Sequence, residues 1–159
     1  MLNQDIVRCS EVLMAKDLTI AFAESATAGR MAAEFAMLPK AGKFLKGALV
    51  CYDASLKERN LGVPKALIDE YTPESLEVTK AIAEGLQQLI EADLHVGVTG
   101  LPAPGGSETS EKPVGTMFIY ATLHGNELFA KRVIFEGEPE EIILKAIYFT
   151  AETLFRELE

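Results

Sequence analysis

The sequence predicts an α/β domain, a three-layer α/β/α sandwich around a mixed sheet of about five strands. Three observations carry this expectation. Apolar runs of strand length at residues 18–23, 47–52 and 94–99 are separated by segments with helical periodicity. Those runs are apolar almost throughout rather than alternating, as strands covered on both faces are. Two further strand-like runs, 115–123 and 128–136, flank His124-Gly125-Asn126, which has the residue types of a hairpin turn. No linker, repeat or low-complexity stretch divides the 159 residues, so a single domain over residues 1–159 is expected.

The elements follow in order. Ile6, Cys9 and Leu13 recur at helical spacing within residues 3–16, and Leu18 to Ala23 is the first buried strand. The Ala, Met and Phe residues from Ala28 to Met37 read as a helix, and Gly47 to Tyr52 as the second strand. Ser55 with Glu58 has the spacing of a capping box opening a short helix, and Pro64 suits the first turn of another. Thr72-Pro73 opens a long helix through Ile90, with Val78, Ile82, Leu86 and Leu89 on one face, before the strand Leu94 to Thr99. Gly100 to Pro113, rich in proline, glycine and polar residues, is a long loop, and long loops in compact domains tend to be functional. Pro139-Glu140-Glu141 starts a last helix through Leu158, with acid at its positive end.

Composition narrows the function. Fifteen basic against 24 acidic residues give a net charge of −9, which argues against a broad surface for nucleic acid or anionic lipid. No apolar stretch approaches the ~20 residues of a membrane span, and the start has no apolar targeting core, so a cytoplasmic protein is expected. Cys9 and Cys51 stand 42 positions apart, outside any metal-ligating or redox spacing. They are expected to be reduced packing residues, with no metal and no cofactor.

Ligands of such sheets gather beyond the carboxyl ends of the strands. Three strand ends carry polar clusters here: Glu24-Ser25-Ala26-Thr27, Tyr52 to Lys57, and Thr99 to Lys112. Ser25 falls where a strand turns into a helix, a place that suits a nucleophile flanked by backbone N–H groups and equally suits an ordinary N-cap. A serine needs a base. His95 lies inside an apolar strand and His124 in a turn, so neither is placed to serve; Lys57 is the available base, with a solvated surface lysine as the plain alternative. Thr99, Gly100, Gly105 and Gly106 can offer hydrogen-bond donors to a phosphate, with Lys112 as a point charge, or can simply shape the loop. No P-loop pattern is present.

Together these segments resemble the C-terminal domain of the CinA (competence/damage-inducible) family. The resemblance rests on Ala23-Glu24-Ser25-Ala26-Thr27-Ala28-Gly29, Gly47-Ala48-Leu49-Val50 with Tyr52 and Lys57, and Leu61-Gly62-Val63-Pro64. It continues through Gly97-Val98-Thr99-Gly100, Pro104-Gly105-Gly106 and Glu111-Lys112-Pro113-Val114-Gly115-Thr116. It implies a nicotinamide-nucleotide amidase that hydrolyses the carboxamide of nicotinamide mononucleotide to the acid and ammonia without a metal. Ser25 is then the nucleophile and Lys57 its base. Thr27, Gly29, Tyr52, Thr99, Gly100, Gly105, Gly106 and Lys112 are the expected substrate-binding residues. A small-molecule nucleotide is the expected partner, with no nucleic acid or membrane, in a homo-oligomer.

The chain also departs from the family pattern. Ala26 and Ala28 stand where the family has Cys and Gly, Asp53-Ala54 where it has Ser-Asn, and Thr72-Pro73-Glu74-Ser75-Leu76 where it has Gly-Ala-Val-Ser-Glu. An arginine early in the last helix falls on Ile143 or Leu144. Lys112, Lys46 and Arg30 are the cations that would have to replace it. Two functions follow: an active amidase, or a catalytically degenerate relative serving as a nucleotide-binding or partner-regulating module.

Overall fold

The computed structural model describes all 159 residues. In chain order the elements are α1 (Gln4–Ala15), β1 (Ile20–Glu24), α2 (Arg30–Ala36), a 3-10 turn (Ala41–Lys43), β2 (Leu45–Val50), α3 (Ala54–Leu61), α4 (Lys65–Tyr71), α5 (Leu76–Leu89), β3 (Leu94–Gly100), β4 (Thr116–Leu123), β5 (Asn126–Ile134) and α6 (Pro139–Leu158). The sheet order is β2-β1-β3-β4-β5; β2, β1 and β3 run parallel, and β4 and β5 continue antiparallel. The expected α/β/α sandwich with a mixed five-stranded sheet is what the chain forms. No helix is long and apolar enough to cross a membrane.

Side-chain alternation along β1 divides the core. Ile20 and Phe22 join Leu13, Phe35, Ile147 and Leu154 in the larger apolar cluster beneath α1, α2 and α6. Ala21 and Ala23 face the smaller cluster with Leu61, Ile68, Ile82 and Leu86 from α3, α4 and α5. Both cysteines are buried and free. Burial pushes the Cys9 thiol up to about 12.

Three helix starts differ from the sequence reading. α2 begins at Arg30 rather than Ala28, because Ala28 (φ 48°) and Gly29 (φ 94°) take left-handed conformations. Asp53, not Ser55, caps α3, its carboxylate accepting from the Ser55 N–H. The long helix α5 starts at Leu76 with Ser75 as cap, whose Oγ accepts from the Val78 N–H; Thr72 instead ends α4. The hairpin is tighter than expected. Only His124 (φ 50°) and Gly125 (φ 82°) form the turn, so β5 starts at Asn126.

The seating of α5 against α3 needs a residue without a side chain. A Cβ at Gly85 would lie 2.1 Å from the Leu61 carbonyl oxygen at the end of α3. Gly85→Ala should therefore destabilise the domain by about 1–3 kcal/mol in urea denaturation, despite alanine's better helix propensity. Equal or increased stability would show that the two helices separate without cost.

Candidate active site

Because β1, β2 and β3 are parallel, their carboxyl ends share one edge of the sheet, and the three polar clusters meet there. They line a cavity of about 260 Å³ formed by Ser25 and Ala26 after β1, Tyr52 after β2, Gly100 at the end of β3 with Leu101 to Gly106 after it, and Glu74 before α5. That is slightly below the roughly 300–1,000 Å³ of common small-molecule sites.

Ser25 continues the β1 ladder through its N–H to the Val98 carbonyl, and four residues separate it from α2, so it is not that helix's cap. The α2 N-terminus is held by Glu24 instead. This fully buried carboxylate accepts from Thr27 Oγ1 at 2.6 Å, the Met31 N–H at 2.8 Å and the Ala32 N–H at 3.0 Å. It thereby fixes the turn carrying Ser25 and occupies two of the N–H groups that a helix start leaves unpaired. The sequence reading assigned Glu24 no role; the available signal was a carboxylate closing an otherwise apolar strand.

Lys57, in the first turns of α3, points inward and is only 1% exposed. Its Nζ lies 2.9 Å from Ser25 Oγ, 2.7 Å from the Cys51 carbonyl oxygen and 3.4 Å from that of Tyr52. No acid is among these partners. Burial pulls the Lys57 ammonium below its ordinary range, opposed by the more distant charges of Glu74 and Asp53. The plain alternative of a solvated surface lysine is thus excluded. The N–H groups of Ala26 and Thr27, next in the chain after Ser25, donate to no acceptor within the protein.

The remaining residues named from sequence fall into two groups. Tyr52, Gly100, Gly105 and Gly106 line the cavity. Thr27, Gly29, Thr99 and Lys112 do not. Thr27 spends its hydroxyl on Glu24. Gly29 packs near Val50 at the head of α2. Thr99 Oγ1 lies 2.8 Å from Thr79 Oγ1, whose own proton goes to the Ser75 carbonyl, so Thr99 is the donor of that pair. Lys112 places its ammonium on Thr72 Oγ1 (2.6 Å), the Glu74 carbonyl (2.8 Å) and Ser107 Oγ (2.8 Å), stapling the long loop to the α4–α5 turn.

None of the three replacement cations reaches the cavity. Arg30 pairs with Glu34 and Glu140, and Lys46 is exposed near the far end of β2. Ile143 and Leu144 pack against the larger apolar cluster. Ala28 is exposed, so its methyl group costs left-handed backbone strain and does not narrow the site.

The sequence model of a family described as CinA C-terminal domain matches residues 4–158. A CinA-like protein of Petrotoga mobilis is 39% identical over 140 residues, covering 87% of this chain and 34% of its own length. A putative competence-damage inducible protein of Desulforudis audaxviator is 37% identical over 127 residues, 80% of this chain and 30% of its own. The chain thus spans about a third of the length of these curated relatives. Among solved structures, a CinA superfamily protein of Klebsiella pneumoniae superposes with a TM-score of 0.92 at 23% identity, covering 98% of this chain and 96% of its own. A competence/damage inducible protein of Agrobacterium tumefaciens gives 0.89 at 23% identity, covering 100% and 99%. At that identity the likeness speaks to fold.

Proposed function

This chain belongs to the CinA C-terminal domain family, and from that membership and its buried Ser25–Lys57 pair we propose an amidohydrolase that cleaves the carboxamide of a pyridine nucleotide, nicotinamide mononucleotide being the reference substrate. The observation carrying the reading is the environment of Lys57 Nζ. A neutral amine has two N–H groups and one lone pair. As an ammonium, Lys57 donates to Ser25 Oγ at 2.9 Å; once neutral, with the carbonyls of Cys51 and Tyr52 accepting its two N–H groups, its lone pair is left for the Ser25 hydroxyl proton.

The mechanism follows from this polarity. Ser25 Oγ attacks the carboxamide carbon as its proton passes to Lys57 Nζ. The developing oxyanion is met by the free N–H group of Ala26, which lines the cavity beside Ser25. Lys57 then gives the proton to the departing nitrogen, and ammonia leaves. Water, deprotonated by the same amine, hydrolyses the acyl–serine to the acid. Measuring ammonia release from nicotinamide mononucleotide by the chain and by its Ser25→Ala variant tests the reading.

The expected pH profile has a definite sign. Only neutral Lys57 accepts a proton, so ammonia release should rise with pH until it passes the lysine's depressed pKa, then level off. Unfolded, the same lysine titrates near ~10.4. Between the two values the unfolded chain binds more protons, so this residue's contribution to stability also rises with pH. A flat rate between about pH 6 and 9 would remove lysine as the base.

The second reading, a catalytically degenerate binding or partner-regulating module, has one observation in its favour: no cationic side chain lines the cavity. A missing preorganised donor typically costs about 10² to 10³ in rate, so slow turnover of a phosphorylated substrate is expected. The expected homo-oligomer belongs to the same proposal and is readable by sedimentation.

A further inference from the structure

Glu74 is the only residue with a charged side chain among the 11 that line the cavity. Its Oε2 accepts from Ser107 Oγ at 2.5 Å, which fixes the carboxylate in place. Its Oε1 receives no donor and lies 3.4 Å from where a Cβ would stand on Gly106, a cavity-lining residue. One oxygen is therefore anchored and the other is available on the cavity wall. The nearest cations do not share that wall. Lys112 and Arg132 line a second cavity whose only residue in common with the first is Glu74. Lys112 already serves three oxygens, and Arg132 donates to the Glu111 carbonyl and lies over the Phe118 ring. Tyr52, 68% exposed, adds an aromatic ring, a surface that attracts cations. Lys57, 1% exposed, stands behind Ser25 and is not one of the residues lining the cavity.

We propose that Glu74 makes this site selective for a carboxamide carried on a cationic ring and sets it against a phosphate on the same molecule, so that the preferred substrate class is a pyridinium nucleoside rather than its nucleotide. The identity of the reacting amide rests on the amidase reading; the charge preference does not. A carboxylate in a partly enclosed cavity favours a neighbouring cation and repels an anion, at an interaction strength well above that in bulk water. Glu74 also stands at one of the positions where the chain departs from the family pattern, in the segment Thr72-Pro73-Glu74-Ser75-Leu76.

The test is calorimetric titration of the full chain carrying Ser25→Ala, which blocks turnover, at low ionic strength. Four probes are used: nicotinamide, 1-methylnicotinamide, nicotinamide riboside and nicotinamide mononucleotide. The cationic 1-methylnicotinamide should bind about tenfold or more tightly than neutral nicotinamide, and the riboside more tightly than the mononucleotide. Adding Glu74→Gln, which keeps an acceptor for Ser107, should bring both ratios close to one. Equal binding of the neutral and cationic amides overturns the proposal. So does tighter binding of the mononucleotide than of the riboside, a preference that survives Glu74→Gln, or no binding of any probe. Ammonia release by the unaltered chain, followed in parallel on the same four compounds, reports separately on the amidase reading. Charge preference without ammonia release retains Glu74 and removes hydrolysis; ammonia release without charge preference does the reverse.

Discussion

Replacing either Ser25 or Lys57 by alanine is expected to lower ammonia release by at least about 10³, and replacing both should cost scarcely more than replacing one. In the proposed mechanism the two side chains, 2.9 Å apart, act as a unit. A serine without its base keeps its proton, and a base without its serine has nothing to activate, so the second loss is largely contained in the first. Stability should respond differently. Ser25→Ala removes one hydrogen bond from a site that is 8% exposed, a change of about 1 kcal/mol. A catalytic collapse at nearly unchanged stability separates chemistry from misfolding. Retention of more than roughly a tenth of the rate in either single variant would take the pair out of the mechanism.

The largest stability effect is expected at Glu24. Glu24→Ala leaves the Thr27 hydroxyl and the Met31 and Ala32 N–H groups without their acceptor, two of these three bonds lying wholly in the interior. Buried donors left unpaired cost about 1–3 kcal/mol each, so a loss of about 3–5 kcal/mol in urea denaturation is expected. That is a large share of the roughly 5–15 kcal/mol that holds a domain of this size. Glu24→Gln, which keeps one acceptor oxygen but turns an amide N–H₂ towards a backbone donor, should fall between. A loss below about 1 kcal/mol for the alanine variant would mean that water takes over the carboxylate's role.

What could be read from the sequence divides along physical lines. The five strands and the α5 apolar face were legible because burial on both faces of a sheet and along a helix stripe writes a pattern into consecutive residues. Helix starts were less so. Ser75 caps α5 after Thr72, at φ 73°, has ended α4, and nothing local distinguishes Ser75 from the equally plausible Thr72. The convergence of three strand ends was legible from the alternation of strands and helices. The inward orientation of Lys57 was not legible in its local pattern, since a lysine on a short polar helix ordinarily faces water; only the family resemblance pairs it with Ser25. Lys112 failed in the opposite sense. Its place in a glycine-rich loop reads as an open charge, while its three oxygen partners come partly from a segment some 40 residues away.

The parallel order of β2, β1 and β3 also bears on when this site comes into being. Its parts arrive from three chain segments that touch only after two separate crossover connections have packed onto opposite faces of the sheet, and the Ser25–Lys57 bond itself closes a span of 32 residues. Pairings of this non-local kind form late, after loop closure has been offset by burial. No isolated hairpin or helical fragment of the chain can hold the pair. The proposed activity should consequently vanish and return in a single cooperative step with the whole domain, making ammonia release a reporter of global folding rather than of local order.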